Sequence, residues 1–370
     1  MNVLVLHNRY RVHGGEERAV ELHLEALQAA DVPHRTLIRD SAEVGSARVA
    51  VAMLRGGDDP EQVSAATREL GADVVHAHNM QPLFGPRSLA AARAEGAKVV
   101  LHLHNFRLFC AIGVSYRLGE PCFRCHHGRT LPGLVLNCRR SVPEAAVYAT
   151  GLRRQYPQVL DVVDRFVTPS RYMVGQLTRL GVPADRIEAL PHYLPDESIA
   201  AESRADQGEF ALIAGRLTEE KGVETAIEVA RLAGMPLKVV GDGPLAGKLD
   251  ADLVGRLTPD ELADLRRRAA VVLVPSRSDE SFGLSALEAM GAGVPVIATQ
   301  MGALPELVGE EHCVARDDTA AMAGRLRALW TDAARRKAVG DDLIARVRER
   351  YTRERFTRDL LDLYSRLQAS

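Results

Sequence analysis

The stretch VVLVPSRSDESFGLSALEAMGAGVPVIAT, residues 271–299, carries the pattern that decides the fold. It opens with the apolar run VVLVPS (271–276), passes through a polar loop, and continues into LSALEAM (284–290) with helical spacing. Two glycines end that helix, and a second β-branched run, VPVIAT (294–299), follows. A strand, a helix and a strand in this order are typical of a parallel sheet that is covered by helices.

The same alternation runs through both halves of the 370-residue chain. The β-branched runs are NVLVLH, DVVHAH, KVVLHLH and RFVTPS in the first half, and FALIAGR, LKVVG, VVLVPS and PVIAT in the second. A stretch with prolines, charges and no clean period separates the two sets near residues 194–203. We therefore predict two doubly wound α/β domains, residues 1–195 and 196–350, facing across a cleft. A C-terminal helix, residues 351–370, should return an apolar stripe to the first domain.

Composition limits the class of partner. The apolar share of 46% and the charged share of 26% are typical of a soluble globular enzyme. With a formal net charge of -2, we expect no nucleic-acid partner. The start of the chain does not have the pattern of a signal peptide, and no run reaches the ~18 apolar residues that cross a bilayer. We expect a cytoplasmic protein, and leave open its oligomeric state and a peripheral contact with a membrane.

The loops after the strands are where ligands bind in open α/β sheets. Gly14 and Gly15 separate the first strand from a helix, where backbone N–H groups approach an anion. A purely structural turn is the alternative. Arg216 and Lys221 follow FALIAG, and a guanidinium fork with an ammonium suits a diphosphate. The alternative there is a solvated set of ion pairs with the neighbouring glutamates.

Glu280 and Glu288 lie eight positions apart within the opening stretch. Backbone N–H groups between them, at the start of a helix, suit phosphate or sugar oxygens. The paired carboxyls of a glycosidase lie roughly 5 to 10 Å apart across one bond. Because Glu288 lies well along a helix that rises about 1.5 Å per residue, we expect the two carboxylates to reach different parts of one long ligand.

Together these motifs resemble the retaining, nucleotide-sugar-dependent glycosyltransferases of the GT-B fold, the family 4-like group 1 transferases. The segments that carry the resemblance are GGEERAV (14–20), DVVHAHN (73–79), VVLHLHNFRLFC (99–110), VTPSRYM (167–173), AGRLTEEKGVETAIEVA (214–230), VVGDGPL (239–245), VGRL (254–257) and ESFGLSALEAMGAGVPVIAT (280–299). They extend over nearly the whole chain. The resemblance implies two Rossmann-like domains, transfer of a sugar to a hydroxyl acceptor with retention of configuration, and no catalytic metal.

The resemblance also implies how the donor is held. Arg216 and Lys221 would bind its diphosphate, and the turn at Gly14 and Gly15 would close on it from the first domain. The transferred sugar and the phosphates would meet the backbone of four consecutive residues, Ser281, Phe282, Gly283 and Leu284. Leu257 would touch the base.

Three acidic or basic side chains receive the remaining roles by resemblance. Glu288 would bind the ribose hydroxyls, and Glu280 would contact hydroxyls of the transferred sugar. His104, at the end of the VVLHLH run, matches the family's active-site histidine, so the predicted catalytic residues are His104 and Glu280. His102 should share the face of His104, because strand side chains alternate. We interpret the two histidines of DVVHAH as packed or hydrogen-bonded.

The segment 110–138 departs from the generic pattern of the family. It contains four of the five cysteines with the spacing C-x11-C-x2-C-x12-C: Cys110, Cys122, Cys125 and Cys138. Such a set suits a structural zinc site of four thiolates. Free thiols and disulfides remain the alternatives, although disulfides are disfavoured in a reducing cytosol.

Donor and acceptor stay open at the level of sequence. We favour a uridine diphosphate sugar, with guanosine diphosphate mannose as the runner-up. The acceptor candidates are a carbohydrate, a lipid-linked sugar or a small molecule. Two other classes remain: a sugar-nucleotide epimerase or hydrolase on the same scaffold, and a catalytically silent zinc-binding scaffold subunit.

Overall fold

The structure is a computed structural model that describes residues 1–9 and 14–369. Within these residues the strands are β1 (Val3–Arg9), β2 (His34–Asp40), β3 (Val74–Ala77), β4 (Lys98–His102), β5 (Tyr116–Arg117), β6 (Glu120–Pro121), β7 (Arg165–Thr168), β8 (Ile187–Ala189), β9 (Phe210–Ala214), β10 (Leu237–Val240), β11 (Asp252–Gly255), β12 (Ala269–Val274), β13 (Val296–Thr299) and β14 (Cys313–Val314).

Helices follow most of these strands. They are α1 (Gly15–Ala29), α2 (Ser46–Arg55), α3 (Pro60–Leu70), α4 (Gly85–Ala94), α5 (Leu131–Val135), α6 (Val142–Val162), α7 (Arg171–Leu180), α8 (Val223–Ala233), α9 (Pro259–Arg267), α10 (Leu284–Gly291), α11 (Leu304–Val308), α12 (Thr319–Thr331), α13 (Ala333–Arg350) and α14 (Arg353–Gln368). No helix in the described part of the chain is both long enough and apolar enough to cross a membrane.

The first compact unit comprises Met1–Ser115, Cys122–Pro191 and Phe356–Ser370. Its parallel six-stranded sheet has the order β2-β1-β3-β4-β7-β8. The central strands are buried on both faces, as expected for a parallel sheet between helices. One face carries Leu4, Leu6 and other aliphatic residues of the main core. The opposite face carries several histidines.

The second unit comprises Tyr116–Pro121 and His192–Arg355. Its sheet, of order β11-β10-β9-β12-β13-β14, is also parallel throughout. Strand β12 lies near the centre and all six of its residues are buried. Its carboxyl end is next to that of β9, so the loops that follow these two strands are neighbours.

The two helix-covered parallel sheets confirm the predicted α/β class with two Rossmann-like units. The boundaries differ by a few residues from the expected 195/196 and 350/351, because the second unit begins at His192 and ends at Arg355. The short hairpin β5-β6 belongs to the second unit, although the surrounding cysteine-rich segment belongs to the first. From Phe356 onward α14 is part of the first unit, and its apolar stripe, Phe356, Leu360, Leu363 and Leu367, is buried.

Candidate active site

In the second unit, Lys221 and Glu280 meet at the carboxyl ends of β9 and β12. The Lys221 ammonium donates to Glu280 Oε1 at 2.6 Å, and the Ser276 hydroxyl donates to the same oxygen at 2.6 Å. Burial alone would raise the pKa of the Glu280 carboxyl. The charge of Lys221, the two hydrogen bonds and the nearby Arg216 outweigh burial, so the pKa of Glu280 lies below its ordinary value. Glu280 is therefore an ionised, positioned carboxylate at neutral pH.

A glycine allows the two loops to approach this closely. Gly222 has a φ of 68°, and a Cβ at this position would lie 1.9 Å from the carbonyl oxygen of Pro275. Only glycine accommodates both the left-handed backbone and the contact. Next to it, the backbone N–H of Arg277 donates to the carbonyl of Glu220 at 2.8 Å. The loop that carries Lys221 is thus fixed against the loop that carries Glu280.

The other two charged residues of the predicted donor site form separate pairs. Arg216 Nη2 lies 3.4 Å from Glu220 Oε1, and its side chain is 44% exposed, so it is open to a ligand. Glu288 Oε2 accepts from Arg266 Nη2 at 2.6 Å. Glu288 is one-third exposed, whereas Arg266 is buried. The structure thus places Arg216, Lys221 and Glu280 together and gives Glu288 a cationic partner of its own.

The segment 281–284 links these groups. Gly283 has a φ of 107° and precedes α10, whose first residue is Leu284. The Phe282 ring is buried and contacts the rings of His192 and Tyr351 edge-on, with centroids 5.0 and 5.8 Å away. Its side chain therefore anchors the loop, and the predicted ligand contact falls to its backbone. Two further predicted residues are half-buried, Ser281 in the loop and Leu257 against the core of this unit.

In the first unit, His104 is buried at the wall of a small pocket that opens to solvent. His78, His102 and Arg107 also line this pocket. The imidazoles of His102 and His104 stack with centroids 4.0 Å apart, which confirms that they share a face of the sheet. Asn105 donates to Glu16 at 2.8 Å on the same pocket wall.

Gly14 and Gly15 are at the start of α1. Gly14 is the extended N-terminal cap, and its N–H donates to Glu17 Oε2 at 2.8 Å. The cap contact therefore already uses this N–H. Residues 10–13 of the same loop lie outside the described part of the chain.

The four cysteines of the segment 110–138 are half-buried and unbridged. Burial raises the pKa of the Cys125 thiol to about 11, and the nearby Cys110, Cys138 and Cys122 contribute in the same direction. In the described residues, the groups of three or more ligand side chains whose donor atoms lie within 4.8 Å of one another are histidine triads: His23, His76 and His78, and His78, His102 and His104. The cysteines do not form such a group there.

Family comparison agrees with this geometry. The model described as "Glycosyl transferase 4-like domain" matches residues 3–192, about half of the chain, and "Glycosyl transferases group 1" matches residues 209–332. The chain belongs to this glycosyltransferase family. Among solved structures, it is similar to Anabaena HepE in complex with UDP (TM-score 0.69, 14% identity, 99% of this chain and 100% of that one). Sucrose-phosphate synthase from Thermosynechococcus elongatus is similar as well (TM-score 0.70, 20% identity, all of both chains). These two likenesses show the GT-B fold.

Curated relatives of the glycosyltransferase match over part of their length. An uncharacterized glycosyltransferase of Methanocaldococcus jannaschii is 37% identical over 56% of this chain and 66% of the relative. A D-inositol 3-phosphate glycosyltransferase of Mycobacteroides abscessus is 32% identical over 46% of this chain and 43% of the relative. A phosphatidyl-myo-inositol mannosyltransferase of Mycobacterium tuberculosis is 28% identical over 60% of each. The glycosyltransferase studied here thus spans about half to two-thirds of the length of these relatives.

Sequence reasoning missed three side chains that hold the predicted residues in place. Ser276 binds Glu280, Arg266 binds Glu288, and Tyr364 binds two of the histidines. Ser276 had a detectable signal, because it ends the same strand run as the loop of Glu280. Arg266 is the first of three consecutive arginines, and the pattern does not tell which of them faces inward. Tyr364 lies more than 280 residues from its partners, so no local signal exists.

Proposed function

We propose that this glycosyltransferase moves a sugar from a nucleotide sugar, in the first instance a uridine diphosphate sugar, to a hydroxyl acceptor with retention of configuration. The contact of Lys221 and Ser276 with Glu280, beside Arg216, carries the proposal. It joins two cations to a fixed carboxylate at the ends of adjacent parallel strands, where ligands of open α/β sheets bind. The similar HepE structure contains UDP, which supports the donor class.

In the proposed reaction, the bond from the anomeric carbon to the diphosphate oxygen breaks and a bond to the acceptor oxygen forms. The acceptor hydroxyl gives its proton to the departing diphosphate, on the same face of the sugar. Lys221 has three N–H donors and Glu280 uses one, so the others are available to phosphate oxygens. The planar guanidinium of Arg216 can bind a phosphate group through two parallel hydrogen bonds. Such fixed donors stabilise the charge that develops on the diphosphate.

The carboxylates hold the rest of the donor in this scheme. Glu280, ionised and held by Lys221 and Ser276, accepts from hydroxyls of the transferred sugar. Glu288 accepts from the ribose hydroxyls, with Arg266 keeping its carboxylate in place. In this scheme His104 is on the acceptor side of the transferred sugar and contacts the acceptor. The backbone near Leu257 meets the base, which leaves the choice between uridine and guanosine to the shape of that loop.

The donor assignment is tested by incubation with a panel of nucleotide sugars, with and without acceptors, and by analysis of the released nucleotide. We expect acceptor-dependent release that Lys221→Ala reduces by about 10² to 10³-fold, as for the loss of one transition-state donor. Glu288→Ala should reduce release mainly through a higher KM for the donor, because it removes a contact to the ribose hydroxyls. Matched controls are Lys337→Ala and Glu228→Ala, which remove paired side chains elsewhere in the second unit. Full activity of Lys221→Ala and Glu288→Ala would refute the donor site. Nucleotide release that needs no acceptor would favour a hydrolase.

The choice of donor has one specific competitor. A relative is named as a mannosyltransferase, which supports guanosine diphosphate mannose as the alternative donor. Thermal shift separates the two, because a ligand that binds the folded state raises the melting temperature by mass action. A larger shift with guanosine diphosphate than with uridine diphosphate at equal concentration would replace the first donor by the second.

A lipid-linked acceptor is supported by a surface of the first unit that we name the apolar patch, Leu131, Val135 and Val142. These side chains are 64%, 73% and 61% exposed. The segment 122–144 that contains them has four arginines and one glutamate, so the patch has a basic surround. Apolar side chains with a basic surround suit the interface of an anionic membrane.

We also propose that the four cysteines bind a structural zinc ion. Their confinement to one segment, with the spacing C-x11-C-x2-C-x12-C, supports it. Zinc binding requires deprotonation of thiols, so it would lower the pKa of the Cys125 thiol that burial raises. Metal analysis should give about one zinc per chain with protected thiols. A content below about 0.2 per chain with freely titratable thiols would remove the proposal.

A further inference from the structure

A continuous hydrogen-bond chain runs through the buried face of the first unit. It links five histidines and one tyrosine in this order: His104 Nε2 to His78 Nδ1 (2.8 Å), His78 Nε2 to His23 Nδ1 (2.6 Å), His23 Nε2 to Tyr364 Oη (3.0 Å), Tyr364 Oη to His76 Nδ1 (2.7 Å), and His76 Nε2 to His102 Nδ1 (3.3 Å). All six side chains are buried. The chain begins at His104 and ends at His102, two of the three histidines of the pocket wall.

The inner rings are neutral. Burial is the first cause that lowers the pKa of His23 to about 3 and the pKa values of His76 and His78 well below their ordinary value. Burial also raises the pKa of Tyr364 well above its ordinary value, so its hydroxyl keeps its proton. A neutral imidazole has one donor nitrogen and one acceptor nitrogen. A ring that accepts a hydrogen bond at one nitrogen therefore donates at the other, so the donor and acceptor of one hydrogen bond determine those of the next.

Two arrangements run in one direction through the whole chain. In one, all five imidazoles carry their proton on Nε2, and His104 donates to His78. In the other, all five carry it on Nδ1, and His104 accepts from His78. In both, the last free donor is on a histidine of the pocket wall. One mixture also keeps all five links, because the Tyr364 hydroxyl can accept from both His23 and His76, but its own proton then has no acceptor in the chain, on a fully buried side chain. Every other mixture places two donors or two acceptors face to face at a buried contact, which loses a hydrogen bond. The chain thus behaves as one unit with respect to its direction.

We propose that Tyr364 is a positioning residue that sets the tautomer of His104 through this chain, and so fixes whether the other ring nitrogen of His104, Nδ1, carries a proton. The inference rests on the proposed function for its catalytic meaning, since His104 is the candidate histidine on the acceptor side. Among the described residues, the hydrogen bonds of this chain join its His104 branch and its His102 branch at Tyr364, because the Tyr364 hydroxyl contacts both His23 and His76. Tyr364 belongs to α14, so this helix would influence the tautomer of a histidine of the pocket wall although α14 does not line the pocket.

A metal ion is the competing explanation for so many converging imidazoles. Both triads that could hold one consist of histidine alone, so a divalent ion there would have no carboxylate to offset its charge. The ring nitrogens of His23, His76 and His78 also already contact one another or Tyr364 at hydrogen-bond distance. The short contacts therefore favour the protonated chain over metal ligation.

Nitrogen-15 spectroscopy of histidine-labelled full-length protein tests the proposal, because protonated and unprotonated ring nitrogens have well separated shifts. His104 is assigned from the signal lost in His104→Gln, and the other members likewise. In the wild type we expect all five rings to show the same single tautomer. Two different tautomers within the set, a charged ring, or shifts that change on treatment with a chelator would overturn the proposal. This measurement needs no enzymatic activity and no folded variant of Tyr364.

Tyr364→Phe then removes the central link while it keeps the ring. We expect His104 and His78 to populate both tautomers, and the kcat of transfer to fall about tenfold with an unchanged KM for the donor. The control Tyr156→Phe removes a tyrosine hydroxyl that donates to the Gly181 carbonyl in the same unit, and should match the wild type. An unchanged single tautomer of His104 in Tyr364→Phe would overturn the proposal. Altered tautomers in a protein that transfers no sugar would instead count against the proposed function alone.

Discussion

Acid should unfold the first unit at a pH where most proteins remain folded. Burial is the main cause that lowers the pKa of His7 to about 4 and of His23 to about 3, and it also lowers the pKa values of His76 and His78. Because the folded-state pKa values lie below the unfolded value of about 6.5, the unfolded chain binds more protons as the pH falls. The contribution of these buried, neutral histidines to the free energy of unfolding is therefore complete above pH 6.5 and is lost progressively below it.

The magnitude follows from linkage. Between pH 7 and pH 5, one histidine that titrates only in the unfolded state lowers the free energy of unfolding by about 2 kcal/mol. Four such histidines lower it by roughly 8 kcal/mol, which is comparable to the total stability of a domain. In the second unit, burial lowers the pKa of His192 to about 4, which gives about 2 kcal/mol, and burial also lowers the pKa of His312. The first unit should thus be the more acid-sensitive of the two.

Urea titration at pH 7 and pH 5 measures the difference. Trp330, the single tryptophan, lies in the second unit, so its fluorescence follows that unit, whereas circular dichroism follows the whole chain. Unfolding of the first unit is then the part of the dichroism change that has no counterpart in fluorescence. We expect the urea midpoint of this part to be much lower at pH 5 than at pH 7. His23→Gln should reduce this pH-dependent shift by about 2 kcal/mol. Equal first-unit midpoints at pH 7 and pH 5 would refute the reasoning.

Two further predictions concern the loops and the surface. Gly222→Ala should lower the free energy of unfolding of the second unit by more than about 3 kcal/mol, because the new Cβ would clash with the Pro275 carbonyl. Gly234→Ala has the same backbone strain (φ 72°) but open space, so it should cost only about 1 to 2 kcal/mol, and equal losses in urea titration would contradict the clash. Replacement of Leu131 and Val135 by serine should reduce sedimentation with anionic vesicles several-fold while sedimentation with neutral vesicles stays low. Unchanged sedimentation with anionic vesicles would exclude the apolar patch as a membrane contact.

The strands that sequence patterns reveal are the central ones. The apolar runs of β1, β3, β4, β9 and β12 are continuous because these strands are buried on both faces. In the two six-stranded sheets, the strands that no apolar run predicted, β2, β8, β11 and β14, are the edges. An edge strand has one neighbour, and three of these four, β2, β8 and β11, are only partly buried. In β2, five residues are half-buried and two are exposed, so its sequence need not be apolar throughout.

The candidate site also combines features that the sequence predicts with contacts that only the folded chain shows. Lys221 and Glu280 were predictable as neighbours of one ligand, because each follows a strand and the ends of parallel strands meet at one edge. Their direct ion pair depends on Gly222 and the Pro275 backbone, and a residue pattern does not contain that contact. The period-two spacing predicts that His76 and His78 are packed or hydrogen-bonded and that His102 shares the face of His104, but it does not predict that His23 joins them. The hydroxyl of Tyr364 that joins them comes from the last helix, and only the folded chain places it there.

Sugar transfer itself is the most direct test of the central claim. The purified wild-type protein, with a uridine diphosphate sugar and a panel of hydroxyl acceptors, is followed by proton nuclear magnetic resonance of the anomeric signal. The account predicts an acceptor-dependent product with the anomeric configuration of the donor, reduced at least about 10²-fold in Lys221→Ala and unchanged in Lys337→Ala. A product of inverted configuration, or equal rates in Lys221→Ala and the wild type, would contradict it.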